Sequence, residues 1–441
     1  MGWVKMKLGD VLKNREGRYK PDDPTIASLK RIDKINFSGQ IFLSDKGSNT
    51  DMILIKKGDL VISGINVEKG ALAVYEGEDD ILATIHYSSY IFDTAKIDID
   101  FLKVFLRSPD FIQLLKEQVP GEIKTEIKPK HILPLEVYFP ETTSEQKVIA
   151  EHFFEKEAKF NQLDMHISYQ LTQLENLNQA ILQEAVQGKL VKQDPKDEPA
   201  SELLKRIKAE KAKSGKKEKS LPPIKPEEIP FEIPENWVWC RLGEITDIQR
   251  GSSPRPKGDP RYFSKSKTNY NWITISDISN FCEDNVLLQT REFLTEEGSK
   301  HSRYVDVNEF IIAVSGSTTG KCCITGVEGF IYDGLAVAKI IENSFDSRYL
   351  LNYMMCLYST INNSKTGASF PNINTDYLNN LIFPLPPIKE QIRINKEIEK
   401  QFAKTKQLKE HIIANQQATE QLLKALLHQA FEVREMEEVN S

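Results

Sequence analysis

Residues 145–187 read EQKVIAEHFFEKEAKFNQLDMHISYQLTQLENLNQAILQEAVQ, a stretch without proline or glycine, and Gly188 follows it. So long a stretch without a breaker predicts one helix, ended by a glycine just past its last turn. Phe153, Phe160, Ile167, Leu174 and Ile181 recur every seven residues; Leu163 and Leu177 add a complementary seam, which Gln170 interrupts. This is a coiled-coil pattern. At ~1.5 Å per residue such a helix is roughly 65 Å long. It has no globular core of its own and needs a partner.

The nearest candidate for that partner is in the same chain. Glu145-Gln146 returns as Glu390-Gln391, an offset of 245, and the offset holds along the helix: Ile149 matches Ile394, Leu163 Leu408, Ile167 Ile412, Leu177 Leu422, and Ala180, Leu182 and Ala185 match Ala425, Leu427 and Ala430. The second helix, about 389–434, has a weaker seam, with Ile398, Leu408, Ile412, Leu422 and Leu426 but Thr405 and Thr419 at core positions. Upstream, Trp3-Val4 and Leu8-Gly9-Asp10-Val11 return as Trp237-Val238 and Leu242-Gly243-Glu244-Ile245, an offset of 234. Ser63-Gly64 matches Ser315-Gly316 at 252. The ends of each copy keep register while the middles have changed length, so two fixed frames hold two variable inserts.

Each insert reads as a mixed α+β domain of ~150 residues. In the first, residues 52–55, 59–62 and 71–75 are short apolar runs between turn residues, the signature of strands, and 101–117 is helical with Ser108 capping a second turn that starts at Pro109. In the second, 310–314 is a strand and 347–361 a helix. Between the copies, 193–199 is polar with two prolines. Residues 203–220 carry eight Lys/Arg against two Glu, with Leu203 and Ile207 as a small apolar stripe, and 222–234 is proline-rich and reads as extended.

Composition bounds the function. The 441-residue chain is 40% hydrophobic and 28% charged, with a net charge of −6. That excludes a globally basic binder of the histone type but not local basic patches. The five cysteines form no C-x-x-C pair, so neither a zinc ribbon nor a disulfide scaffold is supported. Free thiols and the absence of a signal peptide fit a cytoplasmic protein.

Catalytic signatures are weak. Ser315-Gly-Ser-Thr-Thr-Gly-Lys321-Cys322 resembles a phosphate-binding loop, but Ser315 stands where its first glycine belongs, Cys322 replaces the last hydroxyl, and a β-like run follows instead of a helix. A turn touching a nucleic-acid backbone is the better reading. Pro109-Asp110 followed by Glu122-Ile123-Lys124 resembles a PD-ExK-like magnesium nuclease, but Asp110 falls at a helix start, where an acid complements the dipole. No methyltransferase loop and no metal-ligand histidine spacing occur. No catalytic residue and no metal site is expected.

Binding chemistry remains. Candidate DNA contacts are Arg15, Arg18, Lys20, Lys69, Tyr87, Lys124 and Lys128 in the first copy. In the second they are Arg250, Ser253, Arg255, Lys257, Trp272, Thr318, Lys321 and Ser369. Bases interleaved with aromatics and hydroxyls suit phosphate contacts and base-edge readout. For any one residue a solvated face is the alternative, but the clusters recur at matching places in both copies.

The sequence resembles the specificity subunits of type I restriction-modification systems. The resemblance rests on Phe383-Pro-Leu-Pro-Pro-Ile-Lys-Glu-Gln391, Pro234-Glu-Asn-Trp-Val-Trp-Cys-Arg-Leu-Gly-Glu244, Trp272-Ile-Thr-Ile-Ser-Asp-Ile278, Gly367-Ala-Ser-Phe-Pro-Asn-Ile373 and the linker from Asp194-Pro195 to Leu204. Phe139-Pro-Glu-Thr-Thr143 departs from it by lacking the double proline.

The resemblance implies an α+β molecule with a pseudo-twofold internal repeat. Two target-recognition domains, 1–142 and 237–388, would be joined by two long antiparallel coiled-coil helices, 143–190 and 389–435. A basic then proline-rich linker, 191–236, and a tail, 436–441, complete it. It implies a non-catalytic subunit reading a bipartite double-stranded DNA site. Two adenine-methylating modification subunits, which hold S-adenosylmethionine, would dock on it, and two restriction subunits using ATP and Mg would join where the system cuts. The acidic balance then reads as the average of basic reading surfaces and acidic docking helices. A coiled-coil scaffold with globular ends and a nuclease are the alternatives left open.

Overall fold

The computed structural model describes residues 2–36, 39–66, 71–118, 127–213, 221–315, 319–340, 345–363 and 373–431. The proline- and glycine-free stretch lies in one helix, Thr143–Val186, and its counterpart in a second, Ile388–Phe431. Gly188 closes the first in the left-handed region, φ 70°. Lys189 N donates to Glu184 O at 2.8 Å and Gly188 N to Ala185 O at 3.2 Å, which satisfies carbonyls of the last turn. A Cβ at Gly188 would stand 2.4 Å from Pro234 Cγ, so the position demands glycine for both backbone and space.

The chain divides into two units, residues 1–169 with 411–441, and 170–410. In the first, Trp3–Lys7 pairs antiparallel with Glu136–Pro140. A four-stranded sheet runs Leu12–Asn14, Tyr87–Phe92, Leu60–Ser63, Leu72–Val74, and a five-stranded sheet runs Arg18–Tyr19, Met52–Ile55, Ile81–Thr84, Arg31–Ile35, Ile41–Ser44. Helices Ile99–Leu106 and Pro109–Gln118 follow, broken where Ser108 Oγ accepts from Phe111 N at 3.2 Å. Their apolar faces meet the long helices: Phe101, Phe105 and Phe139 pack edge-on, and Phe153, Leu427 and Phe431 join the same core.

In the second unit Val238–Arg241 pairs antiparallel with Ile382–Leu385. A six-stranded sheet runs Thr246–Arg250, Leu335–Ile340, Phe310–Ala313, Cys322–Thr325, Val286–Leu287, Cys282–Glu283. A five-stranded one runs Phe263–Ser264, Glu292–Leu294, Asn271–Ile273, Gly329–Ile331, Arg303–Val305. Helix Ser347–Asn363 covers the larger sheet, and Tyr349, Tyr353, Trp237 and Phe383 share a core with Ile181, Leu182, Ile394 and Ile398 of the long helices.

The glutamine of each Glu-Gln pair is wholly buried. Gln146 Oε1 accepts from Asp98 N at 2.7 Å, and its Nε2 donates to Pro140 O at 3.0 Å. Gln391 Oε1 accepts from Asp346 N at 2.9 Å, and its Nε2 donates to Pro386 O at 2.9 Å. Each side-chain amide thus ties a long helix to the segment entering a domain helix and to the strand end before it.

Two expectations change. Of the seven-residue row, Phe153, Ile167, Leu174 and Ile181 are buried, but Leu163 and Leu177 are about half exposed, as are Leu408 and Leu422. The complementary seam is therefore not a packed one. Each helix turns its buried stripe to a globular core, which leaves the leucine row on the outer side.

The basic half of the linker is a helix, Ala200–Lys213, with Ala200, Leu203 and Ile207 buried in the second unit's core. Its cations are largely used internally. Lys205 pairs with Glu202 at 2.7 Å, Arg206 with Glu198 at 2.8 Å and Lys208 with Glu244 at 2.6 Å. Lys211 donates to Gly243 O at 2.6 Å.

Candidate nucleic-acid interface

Strand Thr246–Arg250 pairs with Leu335–Ile340 so that Arg250 faces Ala336, and the chain then leaves the sheet at Gly251. Gly251 N donates to Leu335 O at 2.9 Å, and a Cβ there would lie 2.1 Å from Tyr332 O. Only glycine lets the loop pass so close to the neighbouring turn, 332–334. That turn is also held from its far side, since Val314 N donates to Gly334 O at 2.8 Å and a Cβ at Gly334 would meet Ser315 Oγ at 2.6 Å.

Three of the expected contact residues converge on this turn. Arg250 Nε donates to Asp333 O at 2.8 Å, Asp333 N donates to Ser253 Oγ at 3.2 Å, and an Arg255 terminal nitrogen donates to Asp333 Oδ2 at 2.7 Å. Trp272 stands behind them. It is 3% exposed and packs edge-on to Tyr332 and Phe263, so it serves as a wall of the site and not as its surface. Lys257 is exposed on the same loop, and Lys321 Nζ donates to Ser279 Oγ at 3.2 Å. Strand Cys322–Thr325 begins directly after Lys321, where a phosphate-binding loop would start a helix. Asp333 itself was not among the residues singled out from the sequence; its Asp-Gly dipeptide is a turn signal that marks the place without naming its role.

The first unit distributes its cations differently. Arg15 grips Asp59 through Nε and through Nη2, the latter at 2.6 Å, and Asp59, 2% exposed, also accepts from Ser89 Oγ at 2.8 Å and Lys56 N at 2.9 Å. The hydrogen bond to Asp59 raises the Arg15 pKa further, so the guanidinium neutralises a buried carboxylate and is committed to the fold. Arg18 and Lys20 remain largely exposed and share Asp51 at 2.7 and 3.3 Å. Burial opposes ionisation of Asp51, but the two cations together hold its carboxyl below the usual range.

Lys128 precedes the short helix Pro129–Ile132 and its N–H donates to His131 Nδ1 at 3.0 Å. Ile127 N reaches Gly64 O at 2.8 Å and Gly64 N reaches His86 O at 2.9 Å, so Lys128 and Tyr87 flank one turn. Tyr87 is half-buried, and burial pushes its phenol up.

Lys69, Lys124, Thr318 and Ser369 lie outside the described residues, as does Glu122 of the nuclease-like pattern. Asp110, its remaining carboxylate, is bound by His428 Nδ1 at 2.8 Å, within a helix start as the sequence places it. Among the described residues no His, Cys, Asp and Glu are grouped to hold a metal ion, and no helix is long and apolar enough to cross a membrane.

The family model for the type I restriction modification DNA specificity domain matches residues 234–415, which include the Asp333 turn and all of its partners. Over these residues the chain carries the sequence pattern of that specificity domain. It is 36% identical over 242 residues to the EcoAI specificity subunit of Escherichia coli, covering 49% of this chain and 38% of that one. It is 31% identical over 275 residues to the EcoEI specificity subunit of the same organism, covering 57% and 44%. These matches therefore span less than half the length of either relative.

The structure is similar to a chain of a type I R-M system solved for its complex assembly and conformational transition, with TM-score 0.64, 17% identity and 98% and 97% of the two chains covered. It is also similar to the HsdS subunit of Thermoanaerobacter tengcongensis, with TM-score 0.50, 18% identity and 98% and 96% covered. At these identities the likeness is one of fold, a mixed α and β molecule with two long helices.

Proposed function

We propose that this chain is the DNA-specificity subunit of a type I restriction-modification enzyme, and that it reads a bipartite double-stranded site through residues 1–142 and 237–388. The observation that carries this reading is the repeated glutamine socket. Gln146 and Gln391 make the same two classes of bond at the start of two 44-residue helices, each joining a helix to one globular domain. A duplicated frame that holds two different inserts is what reading two unlike half-sites at a fixed distance requires. Strands Leu12–Asn14, Tyr87–Phe92, Leu60–Ser63 and Leu72–Val74 of the first unit follow the same order in their sheet as Thr246–Arg250, Leu335–Ile340, Phe310–Ala313 and Cys322–Thr325 of the second, which supports the internal repeat. In one unit Gln416 Nε2 donates to Asp164 Oδ1 at 2.9 Å, and in the other Thr405 Oγ1 donates to Asn178 Oδ1 at 2.8 Å. This pairing of early with late residues supports an antiparallel pair at 143–190 and 389–435.

In this reading the linker, 191–236, and the tail, 436–441, carry no recognition. The half-exposed leucines at 163, 177, 408 and 422 face modification subunits, which bring S-adenosylmethionine and methylate adenine. Restriction subunits with ATP and Mg join the same frame. The chain works as a non-catalytic subunit in the cytoplasm.

The test is to co-express the chain with its modification subunit and map methylated adenines across a genome. A split motif with two defined halves and one spacer length is expected. A continuous motif, or methylation unchanged when the chain is omitted, would refute the reading.

A further inference from the structure

We propose that Arg255 and Asp333 form a guanine-reading pair in the second domain, with Arg255 as the reader and Asp333 as the residue that positions it. The proposal rests on the DNA-specificity reading above and names one contact within it.

The turn that carries Asp333 is fixed from both sides. Gly251 and Gly334 leave no room for a side chain, Ser253 accepts from the Asp333 N–H, and Arg250 donates to the Asp333 carbonyl. The carboxylate therefore presents Oδ2 from a rigid base, and Arg255 takes it through one terminal nitrogen. The Arg255 side chain is nonetheless 70% exposed, while Asp333 is 31% exposed. The contrast with the Arg15–Asp59 pair is informative. Arg15 gives both Nε and Nη2 to an Asp59 that is 2% exposed, which is the arrangement of a structural pair. Arg255 is oriented without being consumed.

Two physical consequences follow. A guanidinium carries five donors in a planar fork, and a carboxylate on one edge fixes the plane while leaving other donors outward, so less side-chain entropy is lost on binding. The carboxylate also offsets the arginine's charge and repels phosphate oxygens, which weakens a backbone contact but not a directional one. Geometry held fixed with charge offset suits a base edge, and the edge that accepts two parallel N–H donors is guanine O6 and N7 in the major groove.

The test uses the assembled methyltransferase, with full-length chain and modification subunit, and compares methylated motifs and binding to duplexes changed at single positions. Arg255→Lys keeps the charge and loses the fork. It should relax one G·C position in one half-site by roughly tenfold or more while leaving the other half-site intact. Asp333→Asn keeps the backbone bonds of the turn and removes the carboxylate. It should relax the same position, and it should leave the melting temperature and the other half-site as in the wild type.

Unchanged selectivity in Arg255→Lys would overturn the proposal in favour of a phosphate contact. Unchanged selectivity in Asp333→Asn would overturn the positioning role, as would a half-site without a G·C pair. These outcomes differ from failure of the functional reading itself, in which the wild-type complex would give no split motif.

Discussion

Arg393 of the second long helix donates to Asp197 of the linker at 2.6 Å, and the Asp197 carboxylate is 2% exposed. A buried carboxylate with one cationic partner depends on that partner. Arg393→Ala should lower stability by about 3 kcal/mol, the lower end of the cost of breaking a buried pair because Arg393 is itself partly exposed. Urea unfolding measures the loss, and limited proteolysis should then cut the linker near Asp197 faster than in the wild type. Equal cutting in both proteins would mean that the linker is held by the Ala200–Lys213 helix alone.

The glutamine sockets should be costly to empty. Gln391→Ala strands the Asp346 N–H and the Pro386 carbonyl inside the protein, and Gln146→Ala does the same to the Asp98 N–H and the Pro140 carbonyl. Each should cost about 1–3 kcal/mol per stranded group by chemical denaturation. Gln391→Glu loses the donor and sets an unpaired carboxylate against the Pro386 carbonyl beside buried Glu390, and should cost at least as much as the alanine variant at neutral pH.

Glu390, beside that glutamine, is fully buried, and burial raises its pKa despite hydrogen bonds from Gln193 and Asn236. A folded-state pKa above the unfolded value means that the folded protein holds the proton more tightly. Its contribution is therefore most favourable below the unfolded pKa and is lost as pH rises from about 4.5 through the raised value. Glu390→Gln should flatten this part of the stability–pH curve and be at least as stable as wild type at neutral pH. A steeper fall with rising pH in the variant would contradict the assignment.

What could be read in the sequence was whatever depends on local spacing. Freedom from breakers delimits both long helices, Gly188 ends the first, and Ser108-Pro109 separates two domain helices, because capping and backbone sterics act within a few residues. Long-range pairing was not legible. Arg15 reads as a surface cation, and only the fold brings it to Asp59, 44 positions away. Leu203 and Ile207 are visible as a stripe, but what they pack against lies elsewhere in the second unit. Leu163 and Leu177 fit a seam by period alone, and their exposure follows from which face the globular cores occupy. Trp272 carries the aromatic character of a base-stacking residue, yet its burial behind Tyr332 is a tertiary fact.

The leucine row makes a prediction about assembly. Leu163→Gln with Leu422→Gln changes half-exposed side chains, so the stability of the free chain should move by no more than about 0.5 kcal/mol. On the docking surface proposed above, binding of the modification subunit, measured by calorimetry, should weaken about tenfold, since each substitution removes apolar area that the complex would bury. Full affinity in this pair and in Leu177→Gln with Leu408→Gln would remove the row from the docking surface.

The helices should also set the distance between half-sites. Four residues inserted after Gln170 add about one turn, roughly 6 Å at 1.5 Å per residue. A base-pair step is about 3.4 Å along the duplex, so the recognised spacer should change by one or two base pairs. Neither domain is touched by the insertion, and both half-site sequences should be retained. Methylation mapping separates the two effects. Altered half-sites at an unchanged spacer would show that the helix helps to read sequence, whereas an altered spacer with unchanged half-sites would identify residues 143–186 as the ruler.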